Sequence, residues 1–496
     1  MRDEVGRRME QLEEIRSRSG TVETVGLPAE VVAGFLDRDM SLGRAIDDAH
    51  QFVSALDQEE ADLLKEDEDT LRHRLQESYM NFYPDDTVCP YVAVAARGPW
   101  LVSAHGAVIH DSGGYGMLGF GHAPDRLLAR IARPWPMANV MTPSFSQRRF
   151  ALRLQKEIGA RRGGCPYSKF ACLNSGSEAV ALTVRIVDLY TRSQTDPGAR
   201  HAGKRLQFLA LTEGFHGRTD APARLSHSTR RKYAHNLASF RRDGDVEFVP
   251  VNDVGALRAV FEGADRNGVF IEAMYMEPVM GEGAPGRAIT REFYDVARGL
   301  TREHGSMLVV DSIQAALRAH GCLSIIDYPG FEDCDPPDME TYSKALNAGQ
   351  FPLSVVAFRE GAADQYVKGI YGNTMTSNPR ALELGCAVLD MVDDRTRENI
   401  RVRGAELKAR LEDLQREDPG AILSVEGTGL LVCAELDSER FPVTGDGGME
   451  EALRLRGIQV IHGGENGIRL TPCFEVTSEE IDLLVGTLRE VLRDAA

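Results

Sequence analysis

No C-x-x-C spacing occurs anywhere in this chain of 496 residues. Its eight cysteines (Cys89, Cys165, Cys172, Cys322, Cys334, Cys386, Cys433 and Cys473) are scattered. In a chain of this length that pattern speaks against a disulfide framework and a zinc site, and for reduced thiols in the cytoplasm. Metal spacing is equally absent from the histidines. His105, His110 and His122 lie near one another in sequence, but no matching carboxylate pattern accompanies them. Basic charge is not in excess either: 57 Lys and Arg against 75 Asp and Glu leave a formal charge of −18. That balance argues against nucleic acid or an anionic membrane as partner. No apolar stretch is long enough to span a bilayer, and no apolar core follows Met-Arg-Asp-Glu-Val-Gly-Arg-Arg, so no signal peptide is expected. There is no internal repeat. With 43% hydrophobic and 27% charged residues the chain reads as globular, and it is too long for one ordinary core.

Residues 1–85 read as a polar helical extension. Val5, Met9 and Leu12 share a helical face, and the run from Asp57 to Asp69 reads as one solvated acidic helix. Packing or oligomerisation is the role expected of it. Pro84-Asp-Asp marks a boundary. Residues 86–165 are short strand-like and glycine-rich pieces, assigned to the small domain and an interface. Residues 166–385 alternate apolar strands with longer helical stretches, the clearest strands being Arg205–Leu211, Val269–Glu277, Met307–Asp311 and Leu353–Phe358. That alternation predicts an α/β layer with a mostly parallel sheet. Residues 386–496 read as a smaller α+β domain. Its last helix opens with the capping box Thr477-Ser-Glu-Glu480 and places Ile481, Leu484 and Leu488 on one face.

Two segments carry the chemistry. Met307-Leu-Val-Val-Asp311 reads as a buried strand delivering a carboxylate at its end, with Gln314 just beyond; Lys344 follows on a loop of small residues. A cofactor that carries amines on an aldehyde needs both: a lysine for its resting Schiff base, and an acid for its pyridinium nitrogen. Gly176 and Ser177 open a helical stretch, where free N–H groups and the dipole suit a phosphate, although a plain serine cap gives the same pattern. Together these features make pyridoxal phosphate the leading reading. Phe215, set among turn glycines, offers a ring for a planar cofactor or a piece of core. Glu277 and Glu282 lie on a Pro/Gly loop and suit substrate orientation or a structural salt bridge. Thr374 lies in a hydroxyl-rich loop, a phosphate donor or an ordinary turn. Arg469 sits inside an apolar strand, where an unpaired guanidinium is costly, so it is paired internally or awaits a carboxylate. Gly114-Tyr-Gly-Met-Leu-Gly119 matches G-x-G-x-x-G, but Gly121-His-Ala-Pro124 follows where a nucleotide site needs a helix. It reads as a glycine loop.

In this order the motifs resemble the class III aminotransferases, the ornithine/ω-aminotransferase branch of fold-type I pyridoxal phosphate enzymes, over residues 90–490. The resemblance implies that Lys344 forms the internal aldimine, Asp311 protonates the pyridine nitrogen, and Gln314 lies near the phenolic oxygen. It further implies that Gly176 and Ser177 bind the phosphate and that Phe215 stacks on the ring with His216 beside it. Thr374 matches a threonine that reaches the neighbouring subunit's cofactor, which implies a homodimer with shared sites. Arg469 matches the carboxylate-binding arginine, and Glu282 the glutamate that pairs with it when the site is empty. Some positions depart from the family pattern: Ser312 for glutamate, Met280 for glutamine, Ala181 for glutamate, and an arginine displaced by one to Arg318. The implied activity is amino transfer between an amino acid or ω-amine and an oxo acid. An aminomutase, racemase or epimerase on the same scaffold remains the alternative.

Overall fold

The computed structural model describes residues 2–137, 139–241 and 244–495. The chain forms two compact units. One comprises Arg126–Gly404 and Glu426–Leu431; the other comprises Met1–Asp125, Ala405–Val425 and Val432–Ala496.

The first unit is built on a seven-stranded sheet in the order Lys169–Leu173, Ser354–Phe358, Met339–Tyr342, Met307–Asp311, Val269–Met276, Arg205–Leu211, Val246–Val249. The last five strands in that order pair in parallel. Ser354–Phe358 runs antiparallel to both of its neighbours. Every residue of Val269–Met276, Met307–Asp311 and Ser354–Phe358 is buried. Strands covered by helices on both faces have no polar side to present, which is why these segments read as unbroken apolar runs. The four strands expected from sequence are present to within a residue at either end.

Helices seal the sheet. Gly176–Thr195 lays Ala179, Val180, Leu182, Ile186 and Val187 into a core shared with Tyr275, Val309 and Val356. Arg291–His304 starts at a Thr290 cap and stops at Gly305, whose φ of +80° a side chain would resist. Fully buried Glu383, on the Pro379–Met391 helix, accepts from Ser146 Oγ at 2.8 Å and pairs with Arg130 and Arg149. Burial alone would push this acid up. Ser146 and the two guanidinium groups outweigh burial and hold it below the ordinary glutamate value.

The second unit contains the N-terminal extension, which packs as part of it. Ala93–Arg97, Trp100–Ser103 and Val108–Asp111 form an antiparallel meander, joined in parallel by Ile458–Gln459. The Met40–Ser54 helix covers the first two of these strands. Trp100 is fully buried, donates from its indole to Asp39 at 2.5 Å and packs its ring 4.9 Å from Phe35.

The acidic run is not one helix. It is two, Gln58–Leu63 and Glu68–Gln76, because Asp57 and Asp67 each accept a backbone N–H and start a new helix. Nor is the run wholly solvated: buried Glu68 accepts the N–H groups of Glu23 and Thr24. The Thr477–Glu480 capping box forms as expected, with bonds of 2.7 and 3.2 Å, and Ile481, Leu484 and Leu488 are buried. In the Gly114–Gly119 segment the glycine at 119 serves packing, since a Cβ there would lie 2.5 Å from the Phe474 ring. No helix among the described residues is long and apolar enough to cross a membrane.

Candidate active site

Three loops at the carboxyl ends of the parallel strands converge on Asp311, which ends the Met307–Asp311 strand. Its buried carboxylate accepts from His216 Nδ1 at 2.9 Å, Thr341 Oγ1 at 2.8 Å and the Ile313 N–H at 3.2 Å. Burial pulls the His216 imidazole down, but the bond to Asp311 and that carboxylate's charge outweigh it, so His216 titrates above the ordinary histidine value. The His216 N–H is tied to Ser226 Oγ at 2.8 Å, which fixes the loop that presents the ring.

Lys344 opens a single turn of 3-10 helix after the Met339–Tyr342 strand, and its Nζ meets Gln314 Oε1. Its φ is +47°, a left-handed backbone that costs a non-glycine residue about 1–3 kcal/mol. The surrounding loop sustains it. Ser343 Oγ and Asn347 Nδ2 both donate to the Leu353 carbonyl, at 2.8 and 2.9 Å.

Gly176 and Ser177 form the first turn of the Gly176–Thr195 helix, whose cap is Ser175 in a reciprocal box with Glu178. Side chains are excluded where this turn meets its neighbours. A Cβ on Gly176 would fall 2.8 Å from Ile313, and one on Gly217 2.5 Å from Ser177 Oγ. Phe215, partly buried in the strand-following loop, donates its N–H to Glu277 at 2.9 Å, and Gly281 donates to the same carboxylate at 2.9 Å. Burial first, and the charge of Asp311 after it, push Glu277 up to about 7. Glu277 is therefore an internal bracket between two loops. Glu282 accepts from Arg218 at 3.3 Å, and the Arg218 guanidinium lies 5.3 Å over the Phe215 ring.

Thr374 is exposed, and its loop is held to the Ser175–Glu178 turn of its own chain through Asn373, which donates to Glu178 at 2.8 Å. Arg469 is buried in the Gly467–Leu470 strand of the other unit. Arg318 is fully buried and donates to the Leu430 carbonyl at 3.1 Å. Asp311, Gln314, Lys344, His216, Phe215, Gly176 and Ser177 thus belong to one cluster of loops.

Sequence reasoning did not find Glu340. This fully buried carboxylate, four residues before Lys344, accepts from Ser312 Oγ at 2.6 Å, Ile325 N–H at 3.0 Å, Ser324 Oγ at 2.5 Å and Tyr167 OH at 2.8 Å. Burial raises its acid above the ordinary value, only partly offset by these donors. Through Ser312 it fixes the turn that carries Asp311 and Gln314. A charged residue inside an otherwise apolar strand, with serine at 312, was the available signal.

Two buried polar atoms in this cluster lack partners: Nε2 of His216 and Nε2 of Gln314. A helix N-terminus, a buried carboxylate with a histidine behind it, an amine and two unsatisfied polar groups fit a planar, phosphorylated, nitrogen-containing aldehyde. Pyridoxal phosphate has these features. Glu340→Ala would leave four donors without their acceptor. It is expected to cost at least about 1–3 kcal/mol in denaturant unfolding and to loosen cofactor retention. Glu340→Gln keeps an acceptor and should cost about half as much. Equal stability of all three proteins would remove Glu340 from this role.

A family model described as aminotransferase class-III matches residues 82–492. Acetylornithine aminotransferase of Neisseria meningitidis is 28% identical over 83% of this chain and 97% of its own length. Ornithine aminotransferase 2 of Staphylococcus aureus is 28% identical over 82% of this chain and 94% of its own. Among solved structures, the ornithine aminotransferase of Toxoplasma gondii superposes with a TM-score of 0.72 at 21% identity, covering 90% of this chain and 97% of that one. An S-selective transaminase from Bacillus megaterium gives 0.71 at 17% identity, over 85% and 97%. The seven-stranded sheet, the loops gathered at its carboxyl edge and a match over most of the length agree: the chain belongs to the class-III aminotransferases, pyridoxal-phosphate-dependent enzymes of fold type I.

Proposed function

We propose that the protein moves an amino group from an amino acid or ω-amine to an oxo acid, with Lys344 as both the covalent anchor of pyridoxal phosphate and the residue that moves the substrate proton. The contact of Lys344 Nζ with Gln314, three residues beyond Asp311, carries this reading. When bound, the cofactor supplies an aldehyde that takes up the amino group and a ring that draws electrons from the substrate's Cα. Asp311, backed by His216 and Thr341, holds the proton on the ring nitrogen. Gln314 Nε2 is the donor for the phenolic oxygen, and the N–H groups of Gly176 and Ser177 hold the phosphate. Phe215 offers its face to the ring. Lys344 takes the proton from the substrate's Cα and delivers it to the carbon that carried the aldehyde, so that the amino group stays behind when the oxo acid leaves. Arg469 is the grip for a substrate carboxylate, which a guanidinium can hold with two parallel bonds. Relatives named for ornithine and acetylornithine make such ω-amino compounds the first donors to test.

The working enzyme in this proposal is a cytoplasmic homodimer in which Thr374 reaches the phosphate at the partner's site. The free state of all eight cysteines supports the compartment. The dimer is supported by exposed apolar side chains on the first unit, among them Met137, Val140, Met141, Phe145, Val367 and Met375.

A single turnover with one amino donor and no oxo acid should release a stoichiometric oxo product and then stop. Catalytic inversion or migration of the amino group without an acceptor would establish the isomerase outcome instead. No observation on the structure favours that second outcome.

Thr374→Ala should weaken phosphate retention by about 1.5–3 kcal/mol, the worth of a hydrogen bond to a charged group. Mixing it with Lys344→Ala subunits should restore partial activity, because some mixed dimers recover one intact site. A fully active monomer, or no recovery on mixing, would contradict the shared site.

A further inference from the structure

A second carboxylate in the large sheet has no role in the cofactor cluster. Arg205–Leu211 and Val269–Met276 pair in parallel, but the register slips between Gln207↔Ile271 and Leu209↔Met274. The second strand therefore carries one extra residue, at Glu272 and Ala273. Such a bulge turns two successive side chains to one face and is uncommon between parallel strands. Ala273 enters the core beneath the Gly176–Thr195 helix, and Glu272 is turned to that same side.

There it lines a cleft of about 330 Å³ whose walls include Phe208, Leu206 and Leu225, with Asp220, Asp245 and Arg224 also on its lining. Glu272 is only 8% exposed, and no cationic side chain is among the groups that act on its acid. Thr191, the one side chain that favours its ionised form, has a hydroxyl that itself lacks a partner. A carboxylate this far buried, with no cation against it, faces the cleft at a cost that a bound positive charge would offset.

Arg224 does not supply it. Its guanidinium stands 3.8 Å from Asp245 with both side chains about half exposed. No group of three or more metal-ligating side chains among the described residues could hold an ion. The cleft is also separate from the cofactor cluster. Glu272 lies five residues ahead of Glu277, which stands just past the end of that strand, roughly 16 Å away at the usual rise.

We propose that this cleft binds a small organic cation, a guanidinium or ammonium group on a short aliphatic stem, with Glu272 as its counter-ion and the Phe208 wall covering the stem. A flat guanidinium suits a single carboxylate through two parallel bonds, and a stem of a few methylenes gains from the apolar wall. Burial first, then the charges of Asp188 and Asp245, push Glu272 up to about 7, consistent with a carboxylate that lacks a cation.

The probe is butylguanidinium, which does not condense with an aldehyde as an amine would. Titrated into the holoenzyme by calorimetry at pH 7.5, it should bind one site per chain. Glu272→Gln, nearly isosteric, should weaken binding at least about tenfold while leaving transamination unchanged. Val184→Phe, which fills the cleft from the helix side, should abolish binding without touching Glu272. Butanol, with the stem and no charge, should not bind. No saturable binding to the wild-type enzyme, or equal binding to wild type and Glu272→Gln, would overturn the proposal.

Discussion

The candidate site depends on one buried carboxylate being kept where water is absent. Asp311 ends a fully buried strand, where an isolated charge is prohibitively costly. Three donors surround it: an imidazole, a hydroxyl and a backbone N–H. Its neighbour Glu277 shows what the same surroundings do without a cation in contact. That acid rises to about 7 even with two backbone donors. Burial pulls the imidazole down, but the bond to Asp311 and that carboxylate's charge outweigh it and raise His216 above the ordinary histidine value. Placing that histidine requires the Gly214–Ser226 segment to fold back under the sheet's edge, and the Ser226 hydroxyl holds it there.

Close approach of three loops then follows from small residues at the contact points. Gly176 admits Ile313, Gly217 admits Ser177, and Gly281 admits the Gln314 stem, where a Cβ would come within 2.5 Å. Lys344 is the exception. It takes a left-handed backbone with a long side chain attached, and the loop around it spends two side-chain hydrogen bonds on one carbonyl to hold that geometry. Leu317 and Ala348, near it in the same unit, also have positive φ, and such strained residues cluster at functional positions.

Much of this arrangement was legible in the chain. Asp311 and Gln314 lie where an apolar run ends and Lys344 on a loop of small residues, and the four expected runs became strands within a residue of their bounds. Local patterns also carried the last helix, whose capping box needs only four consecutive residues. Partners distant in sequence were not legible. Glu340 reaches Ser312 across 28 positions, and its charge disguised the Met339–Tyr342 strand, which went unpredicted. Asn373 reaches Glu178 across 195, so a loop read as a phosphate donor is also a tether to its own chain's turn. The acidic run misled for the opposite reason. Its charge pattern is helical throughout, but Asp67 satisfies a backbone N–H better as a cap than as a helix interior residue. Glu282, expected from the resemblance to pair with Arg469, also holds Arg218 at 3.3 Å, a partner 64 positions away that no local pattern announces.

The account stands or falls on Lys344 being the residue that holds the cofactor. Borohydride reduction of the cofactor-loaded protein, followed by proteolysis and mass mapping, tests this without any choice of substrate. The reduced pyridoxyl group should appear on the peptide containing Lys344 and on no other, and Lys344→Ala should bind cofactor without becoming labelled. Label on a different lysine, or a wild-type protein that retains cofactor yet cannot be labelled at all, would contradict the account.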